Sequence, residues 1–182
     1  MIPHYGDMVA TASTLYGLEE IRGQKDHPLI VGFHWWGAGA KWFVDDETPW
    51  CGSGMCAVAR FCNRERPKAA RARARSWLEV GRRITLEEWR FTTLGDVKYN
   101  TVAVIKRSGP GQPGVDVIGA PGHVGLIVGL SADKKTMALS GGNQNNQWNV
   151  AHFPLTRLLA LQHIPLLPAI KPYEGGFATS VQ

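Results

Sequence analysis

Five short β-like segments in the second half of this chain constrain its fold more than any other feature. They span 101–106, 123–129, 136–140, 149–153 and 158–164, and the last fits a helix equally well. Apolar and β-branched residues dominate each segment, and turn residues separate them. Before Gly95 the apolar residues recur at helical spacing instead. Helices followed by strands predict an α+β domain in which N-terminal helices pack on a mostly antiparallel β-sheet.

Length and composition indicate a single globular domain. A chain of 182 residues can bury a core without disulfides, and 44% hydrophobic with 19% charged residues is ordinary for such domains. We therefore expect one domain over 1–182, with a loose tail over 172–182. No apolar run approaches the ~20 residues that a membrane-spanning helix needs. The first residues, MIPHYGDMVATAS, contain no basic segment followed by an apolar block, so we expect synthesis in the cytoplasm without a signal peptide.

The first half of the chain predicts three helices. The first spans 8–20, with Asp7 as its N-cap. The second spans 49–63, because Thr48 is a good N-cap and Pro49 suits the first helical position. The third spans 68–81 (KAARARARSWLEVG), with Ala70, Ala74, Trp77 and Leu78 facing inward and Gly81 as its stop.

Cys51 falls in the first turn of the predicted 49–63 helix. Free backbone N–H groups and the positive end of the helix dipole favour a thiolate there, as a nucleophile requires. A buried, inert cysteine is the alternative, since free cysteines usually behave as small hydrophobes. Cys51, Met55, Val58 and Cys62 form one apolar stripe, so we expect Cys51 at the edge of the core.

The three cysteines predict neither disulfides nor a metal site. Three cysteines cannot all pair within one chain, so we expect Cys51, Cys56 and Cys62 to be free thiols. Their spacing fits no CxxC-type zinc pattern, so no structural metal is expected, and no cofactor is indicated.

The basic character of the chain predicts an anionic partner. The formal net charge is +5 and the pI is about 9.3, which suits nucleic acid, a membrane surface or an acidic cell-wall polymer. Eight of the basic residues lie in 64–83. A solvated helix face, whose arginine stems cover apolar surface, is the usual explanation of such a pattern. Electrostatic contact with an anionic polymer is the alternative.

His123 and Asn143 are the candidates for proton transfer and for orienting the imidazole. His123 begins a predicted strand, follows a long loop rich in Gly and Pro, and is flanked by Gly122 and Gly125. Asn143 follows the next strand, and an antiparallel neighbour can bring its side-chain oxygen to an imidazole N–H of His123. A cysteine nucleophile needs both kinds of partner. A simple turn is the alternative explanation of the GGNQ sequence at 141–144.

Three motifs occur in a fixed order: TPWC (48–51) at a helix start, GHVG (122–125) on a strand and GGNQ (141–144) after the next strand. In this order they resemble the phage-associated branch of the papain-like cell-wall hydrolases, the CHAP and NlpC-type enzymes, many of which are phage endolysins. The resemblance extends to GLEEIRG (17–23), ARSWL (74–78) and GGFATS (175–180). Two features depart from it. Many CHAP enzymes carry a carboxylate shortly before the asparagine, whereas glycines precede Asn143 here. The Gly-Asp element that often leads directly into the first strand is Gly95-Asp96 here, but VKYN follows it.

The resemblance implies a papain-like single domain and an endolysin-like peptidoglycan hydrolase that cuts an amide or peptide bond. It makes Cys51 the nucleophile, His123 the general base and acid, and Asn143 the orienting residue. Trp50, Asp46 and Gln144 are expected to contact the substrate, although loop or capping roles are open for Asp46. The implied partner is bacterial peptidoglycan, with other anionic envelope polymers as a further option, and the protein is expected to be a monomer that acts on the wall after release from the host cytoplasm.

Three alternatives belong to other functional classes. A non-catalytic nucleic-acid binder would use 64–83 but has no recognised binding motif. A wall-binding module would keep the fold without turnover. An antibacterial amidase toxin would keep the chemistry and differ in its target cell.

Overall fold

The computed structural model describes residues 6–168, and these form a mixed helical and antiparallel β architecture, which confirms the α+β class. The helices are α1 (Met8–Ser13), α2 (Pro28–Gly32), α3 (Cys51–Phe61), α4 (Leu86–Phe91) and α5 (Asp96–Tyr99), with a π-helical segment, Phe33–Ala38, after α2 and 3-10 segments at Ala74–Glu79 and Leu155–Arg157. The strands are β1 (Arg82–Ile84), β2 (Thr101–Lys106), β3 (Gly122–Leu130), β4 (Thr136–Gln144), β5 (Gln147–Pro154) and β6 (Leu158–His163). The predicted tail, 172–182, and the GGFATS motif at 175–180 lie outside the described residues.

The strands form one sheet in the order β1-β6-β2-β3-β4-β5, and every neighbouring pair is antiparallel. The five predicted strands are therefore confirmed, and the ambiguous segment 158–164 is a strand. Strand β1 was not predicted, because it has three residues and only Ile84 among them is buried. Strand β4 continues through the GGNQ motif to Gln144, so that motif is not a simple turn.

Helix α3 lies at the centre of the fold and packs against β3 and β4. All of its residues from Cys51 to Ala59 are buried, so the predicted apolar stripe is one part of a helix that is covered on every side. Small residues make this possible, since a Cβ added to Gly52 would overlap the backbone of Ala72. The helix therefore fixes Cys51 by close packing on several sides.

The predicted start of α3 is wrong by two residues. Trp50 is the N-cap, and it makes no side-chain capping bond. The N–H of Thr48 instead donates to Oδ1 of Asp45 at 2.7 Å, which closes a local turn before the helix. Pro49 lies between that turn and the cap, and Cys51 becomes the first helical residue.

The other helical predictions have mixed outcomes. Helix α1 begins where predicted, and Oδ1 of Asp7 accepts from the N–H of Ala10 at 3.1 Å. It ends at Ser13 instead of continuing to residue 20, and Gly17 then takes a positive φ of 86°. Among the described residues, no helix is long and apolar enough to cross a membrane.

The sheet is buried on both faces around β2. Val102 and Val104 belong to the larger apolar cluster, which includes α3, whereas Ala103 and Ile105 belong to a second cluster that includes Trp89 of α4. Successive side chains of a strand point to opposite faces, so both clusters draw on one strand. The continuous apolar sequence of β2 follows from this double coverage.

The predicted helix over 68–81 is wrong, and within it Arg75 is buried instead of lying on a solvated face. Only the 3-10 segment Ala74–Glu79 is helical, and Ala70 is exposed with a left-handed φ of 46° instead of facing inward. Arg75 is completely buried, and Ala74, Trp77 and Leu78 are buried as predicted. Its guanidinium donates to four backbone carbonyls in the loop before β3, those of Pro113, Gly114, Val117 and Pro121.

Arg64, at the other end of this basic segment, is buried as well. It is 2% exposed, donates to the carbonyls of Gly6 and Ile164, and pairs with Asp96. Arg64 and Arg75 therefore stabilise the fold by binding backbone carbonyls and an acid. The Arg-rich segment is not a continuous basic surface.

We expect Arg75→Lys to destabilise the protein by about 2–4 kcal/mol, because a lysine cannot reach all four carbonyls and leaves buried acceptors unpaired. The loss is measured by urea unfolding, and limited proteolysis shows whether cleavage begins in the loop 113–121. Arg73→Lys is the matched control: Arg73 is exposed and should change stability by less than about 0.5 kcal/mol. Equal stability of the two variants would contradict the role assigned to Arg75.

Candidate functional site

One pocket brings together the three motifs of the sequence. It has a volume of about 370 Å³ and lies where the start of α3 meets β3 and the end of β4. Its lining residues include Cys51, His123, Asn143 and Gln144. The structure therefore places the predicted nucleophile, the predicted base and the GGNQ motif around a common space.

Cys51 is the first residue of α3, and it is only 6% exposed. Burial raises the pKa of its thiol, although the backbone N–H groups of Val124 and Gly52 and the charge of Arg107 act in the opposite direction. The expected thiolate is therefore not the resting form, because desolvation outweighs the helix start. All three cysteines lie in the described part of the chain and are free thiols, as predicted.

Gln144 orients the imidazole of His123. Nε2 of His123 lies 3.2 Å from Oε1 of Gln144. The amide nitrogen of Gln144 is surrounded by acceptors: the carbonyls of Leu139, Gly141 and Asn149, at 3.2, 3.1 and 2.6 Å, and Oδ1 of Asn149. Since that nitrogen must donate to these atoms, the oxygen is the atom that faces the imidazole. His123 consequently carries its proton on Nε2, and Nδ1 is the acceptor.

The imidazole of His123 is neutral over the physiological pH range. Burial lowers its pKa to about 4, and the charges of Arg157 and Arg107 act in the same direction. The hydrogen bond that Nε2–H donates to Oε1 of Gln144 raises the pKa, but by less than burial lowers it. Cys51 and His123 thus line the same pocket as a neutral thiol and a neutral imidazole.

The orienting contact predicted for Asn143 is made by its neighbour instead. The pairing of β3 with β4 ends at Leu126 and Ser140, and in the pairing of β4 with β5 a bulge lies between Gly141 and Gln144. Asn143 takes a left-handed φ of 58° in this bulge, and its amide nitrogen donates to Oε1 of Glu20 at 2.7 Å. Asn143 still lines the pocket, and Gln144 takes the position beside the imidazole.

Trp50 was predicted to contact the substrate, and this prediction is wrong. Its side chain is completely buried, and Nε1 donates to Oε1 of Glu20 at 2.8 Å. A Cβ added to Gly142 would overlap the Trp50 ring, so the GGNQ strand approaches the indole as closely as a glycine permits. Trp50 therefore determines the distance between α3 and β4 from inside the core.

Asp46 was also predicted to contact the substrate, and this prediction is wrong too. The residue is completely buried and does not line the cysteine pocket. Its Oδ2 accepts from the N–H groups of Ile21 and His27 at 2.8 and 2.7 Å. Asp46 thus fastens the GLEEIRG motif, at Ile21, and the segment after it, at His27, to the loop that precedes α3.

Two arginines complete the pocket and were missed in the sequence. Arg107 directly follows β2, and Arg157 ends the 3-10 segment before β6. Among the described lining residues they are the side chains that carry charge at neutral pH. Both arginines stand next to the end of a predicted strand, which is a position where binding residues often lie. The sequence does not reveal which strand ends come together in the fold, so it could not place the two arginines in one pocket. Their charges make the pocket complementary to an anionic ligand.

Comparison with known proteins gives no relative. No family model, curated protein or solved structure matches the chain. The resemblance carried by TPWC, GHVG and GGNQ stays a hypothesis, and the geometry of the pocket is the basis for a functional proposal.

We expect His123 to be the Nε2–H tautomer at neutral pH and to remain neutral down to about pH 4. Long-range ¹H–¹⁵N correlation spectra of histidine-labelled protein measure both properties. Gln144→Leu removes the acceptor, and the loss of about 1 kcal/mol shifts the tautomer ratio about fivefold toward Nδ1–H. Asn143→Gly is the control, because glycine suits the left-handed backbone and Asn143 does not contact the imidazole. A wild-type spectrum with a protonated Nδ1 would refute the assignment.

Proposed function

We propose that this protein is an endolysin-like peptidoglycan hydrolase with a papain-like fold. Cys51 is the nucleophile, His123 is the general base and acid, and the bond cut is an amide or peptide bond. The observation that supports this most strongly is that Cys51 and His123 line one pocket while Gln144 holds Nε2 of the imidazole. A nucleophile, a base and an orienting group are the parts that cysteine-dependent acyl transfer requires.

The first half of the reaction starts from the neutral pair. As Sγ of Cys51 attacks the carbonyl carbon, the thiol proton moves to Nδ1 of His123. The imidazolium then gives that proton to the leaving amine, and the carbon–nitrogen bond breaks to leave a thioester. Gln144 stabilises the transient imidazolium, since its oxygen accepts from Nε2–H throughout.

The second half releases the product. Water attacks the thioester carbonyl while Nδ1 of His123 takes one of its protons. The carbon–sulfur bond breaks, the acid product leaves, and the proton returns to Sγ of Cys51. In both halves the backbone N–H of Cys51 is a donor for the oxyanion, because the first N–H groups of a helix have no partner within the helix.

The charge of the pocket supports a substrate of the peptidoglycan class. Arg107 and Arg157 complement carboxylates, and the stem peptides of peptidoglycan carry carboxylates close to their amide bonds. The cations also favour the attacking sulfur, since the charge of Arg107 lowers the pKa of the Cys51 thiol. A short peptide with a free carboxylate fits this combination better than a neutral one.

The alternatives have less structural support. A nucleic-acid-binding surface over 64–83 would lack two of its basic side chains, since Arg64 and Arg75 are buried. A wall-binding module without turnover would have no need for the polar network around His123. An antibacterial amidase toxin uses the same chemistry and differs from a lysin in its delivery, so it is part of the same enzymatic proposal.

Cys51→Ala should abolish hydrolysis, by at least about a thousandfold, because no other described pocket residue is a thiol. The measurement is the release of soluble fragments from purified cell walls, and mass spectrometry of those fragments identifies the bond. Cys62→Ala is the matched control, because Cys62 is buried on the same helix stripe but does not line the pocket. It should keep activity at a modest cost in stability. Full activity of Cys51→Ala would end the cysteine mechanism.

The pH dependence should reflect the neutral pair. The pKa of His123 is about 4, so kcat/KM should fall only as the imidazole becomes protonated near pH 4. Burial raises the pKa of Cys51, so no alkaline decline is expected near neutral pH. A soluble wall fragment is the substrate, and circular dichroism at each pH separates unfolding from titration. An acid limb between pH 6 and 7 would contradict the neutral pair.

A further inference from the structure

Three carboxylates meet in the loops before α2 and α3, and none of them lines the cysteine pocket. One carboxylate oxygen from each of Asp26, Asp46 and Glu47 lies within 4.8 Å of the other two. Asp26 belongs to the turn before α2, whereas Asp46 and Glu47 belong to the loop before α3. Asp26 also accepts from the backbone N–H of Asp46 at 3.1 Å, so the two loops are already joined at this point.

The buried member of this group has an unused oxygen. Asp46 is completely buried, and its Oδ2 accepts from two backbone N–H groups, those of Ile21 and His27. Its Oδ1 is also buried and has no hydrogen-bond partner among the described residues. A buried carboxylate oxygen without a partner is costly, and a ligand at this oxygen would remove that cost.

The charges of the group are not balanced by basic side chains. Within the described residues, no salt bridge involves Asp26, Asp46 or Glu47. Like charges at about 4 Å repel each other by about 1 kcal/mol in water and more near a protein surface. Three carboxylates at this spacing are therefore a favourable place for a cation.

We propose that Asp26, Asp46 and Glu47 bind a divalent cation of the Ca²⁺ type. All three ligands are hard oxygen donors, which Ca²⁺ binds at about 2.3–2.6 Å, so that oxygens on opposite sides of the ion are up to about 5 Å apart. Mg²⁺ demands a smaller, nearly ideal octahedron. Asp26 and Glu47 are exposed, so water can complete the larger coordination shell of Ca²⁺. Zinc is not favoured, since the group contains neither cysteine nor histidine.

The position of the site gives the cation a structural role. Asp46 lies five residues before Cys51 and holds the backbone at Ile21 and His27. A cation shared by Asp26 and Glu47 would fasten the turn before α2 to the loop that leads into α3. This inference does not depend on the proposed hydrolase activity, because binding and stability are measured without any substrate.

Calorimetric titration of the full chain with CaCl₂ tests the proposal, after treatment with EDTA and in 150 mM KCl. We expect one saturable site per chain and tighter binding of Ca²⁺ than of Mg²⁺. In thermal unfolding, a hundredfold excess of Ca²⁺ over its Kd should raise Tm by about 5–10 °C. Absence of saturable binding at millimolar Ca²⁺, or tighter binding of Mg²⁺, would overturn the proposal.

Glu47→Gln is the main variant, because Glu47 is exposed and its replacement does not disturb the core. It should weaken Ca²⁺ binding at least tenfold and keep the Tm of the metal-free protein. Glu79→Gln removes an exposed acid elsewhere and should bind Ca²⁺ as the wild type does. Asp46→Asn should lose both binding and the Tm increase. Wild-type affinity in Glu47→Gln would show that the carboxylate group is not the binding site.

Discussion

The close approach of Trp50 to Gly142 is the contact on which the cysteine pocket depends. Trp50 directly precedes Cys51, and Gly142 stands two residues before Gln144, so one contact in the core sets the spacing of both sides of the pocket. Any side chain at residue 142 would overlap the indole and separate α3 from β4. Glu20 strengthens this arrangement, since one oxygen accepts from both Trp50 and Asn143. The TPWC and GGNQ motifs are thus joined in the core by the Trp50–Gly142 contact and by Glu20 of the GLEEIRG motif, as well as around the pocket.

Burial and hydrogen bonding compete for control of the two reacting groups. A helix start favours a thiolate, but Cys51 is enclosed so tightly that desolvation raises its pKa. The same enclosure lowers the pKa of His123. The pocket therefore holds a neutral thiol and a neutral imidazole, and in the proposed mechanism they become charged only as the substrate takes up the developing charge. A low local dielectric makes each hydrogen bond to such a charge stronger.

The sequence predicted the sheet well because each strand has its own local signal of β-branched residues between turns. It also placed Cys51 in the first turn of a helix, although that helix begins two residues later than predicted, and it placed the GGNQ motif near His123. It could not predict that Gln144 instead of Asn143 contacts the imidazole, because the bulge between Gly141 and Gln144 depends on how β4 pairs with β5 and not on the GGNQ sequence alone. Alternating Arg and Ala predicted a helix over 68–81. In the fold, Arg75 donates to four backbone carbonyls of the loop before β3, and these tertiary contacts outweigh the helix propensity of the segment. Trp50 and Asp46 were predicted to contact the substrate because they lie close to Cys51 in sequence. Closeness in sequence does not show whether a side chain lines the pocket or is buried behind it.

The way in which Arg75 holds the loop before β3 has an evolutionary consequence. All four of its contacts in that loop are with main-chain oxygens, so the anchor makes few demands on the loop's side chains. Residues between Pro113 and Pro121 can then vary while His123 keeps its place at the end of the same segment. If the pocket acts as proposed, this loop could change in sequence, and with it the substrates accepted, without moving His123. The buried arginine would then allow specificity to change independently of the catalytic residues.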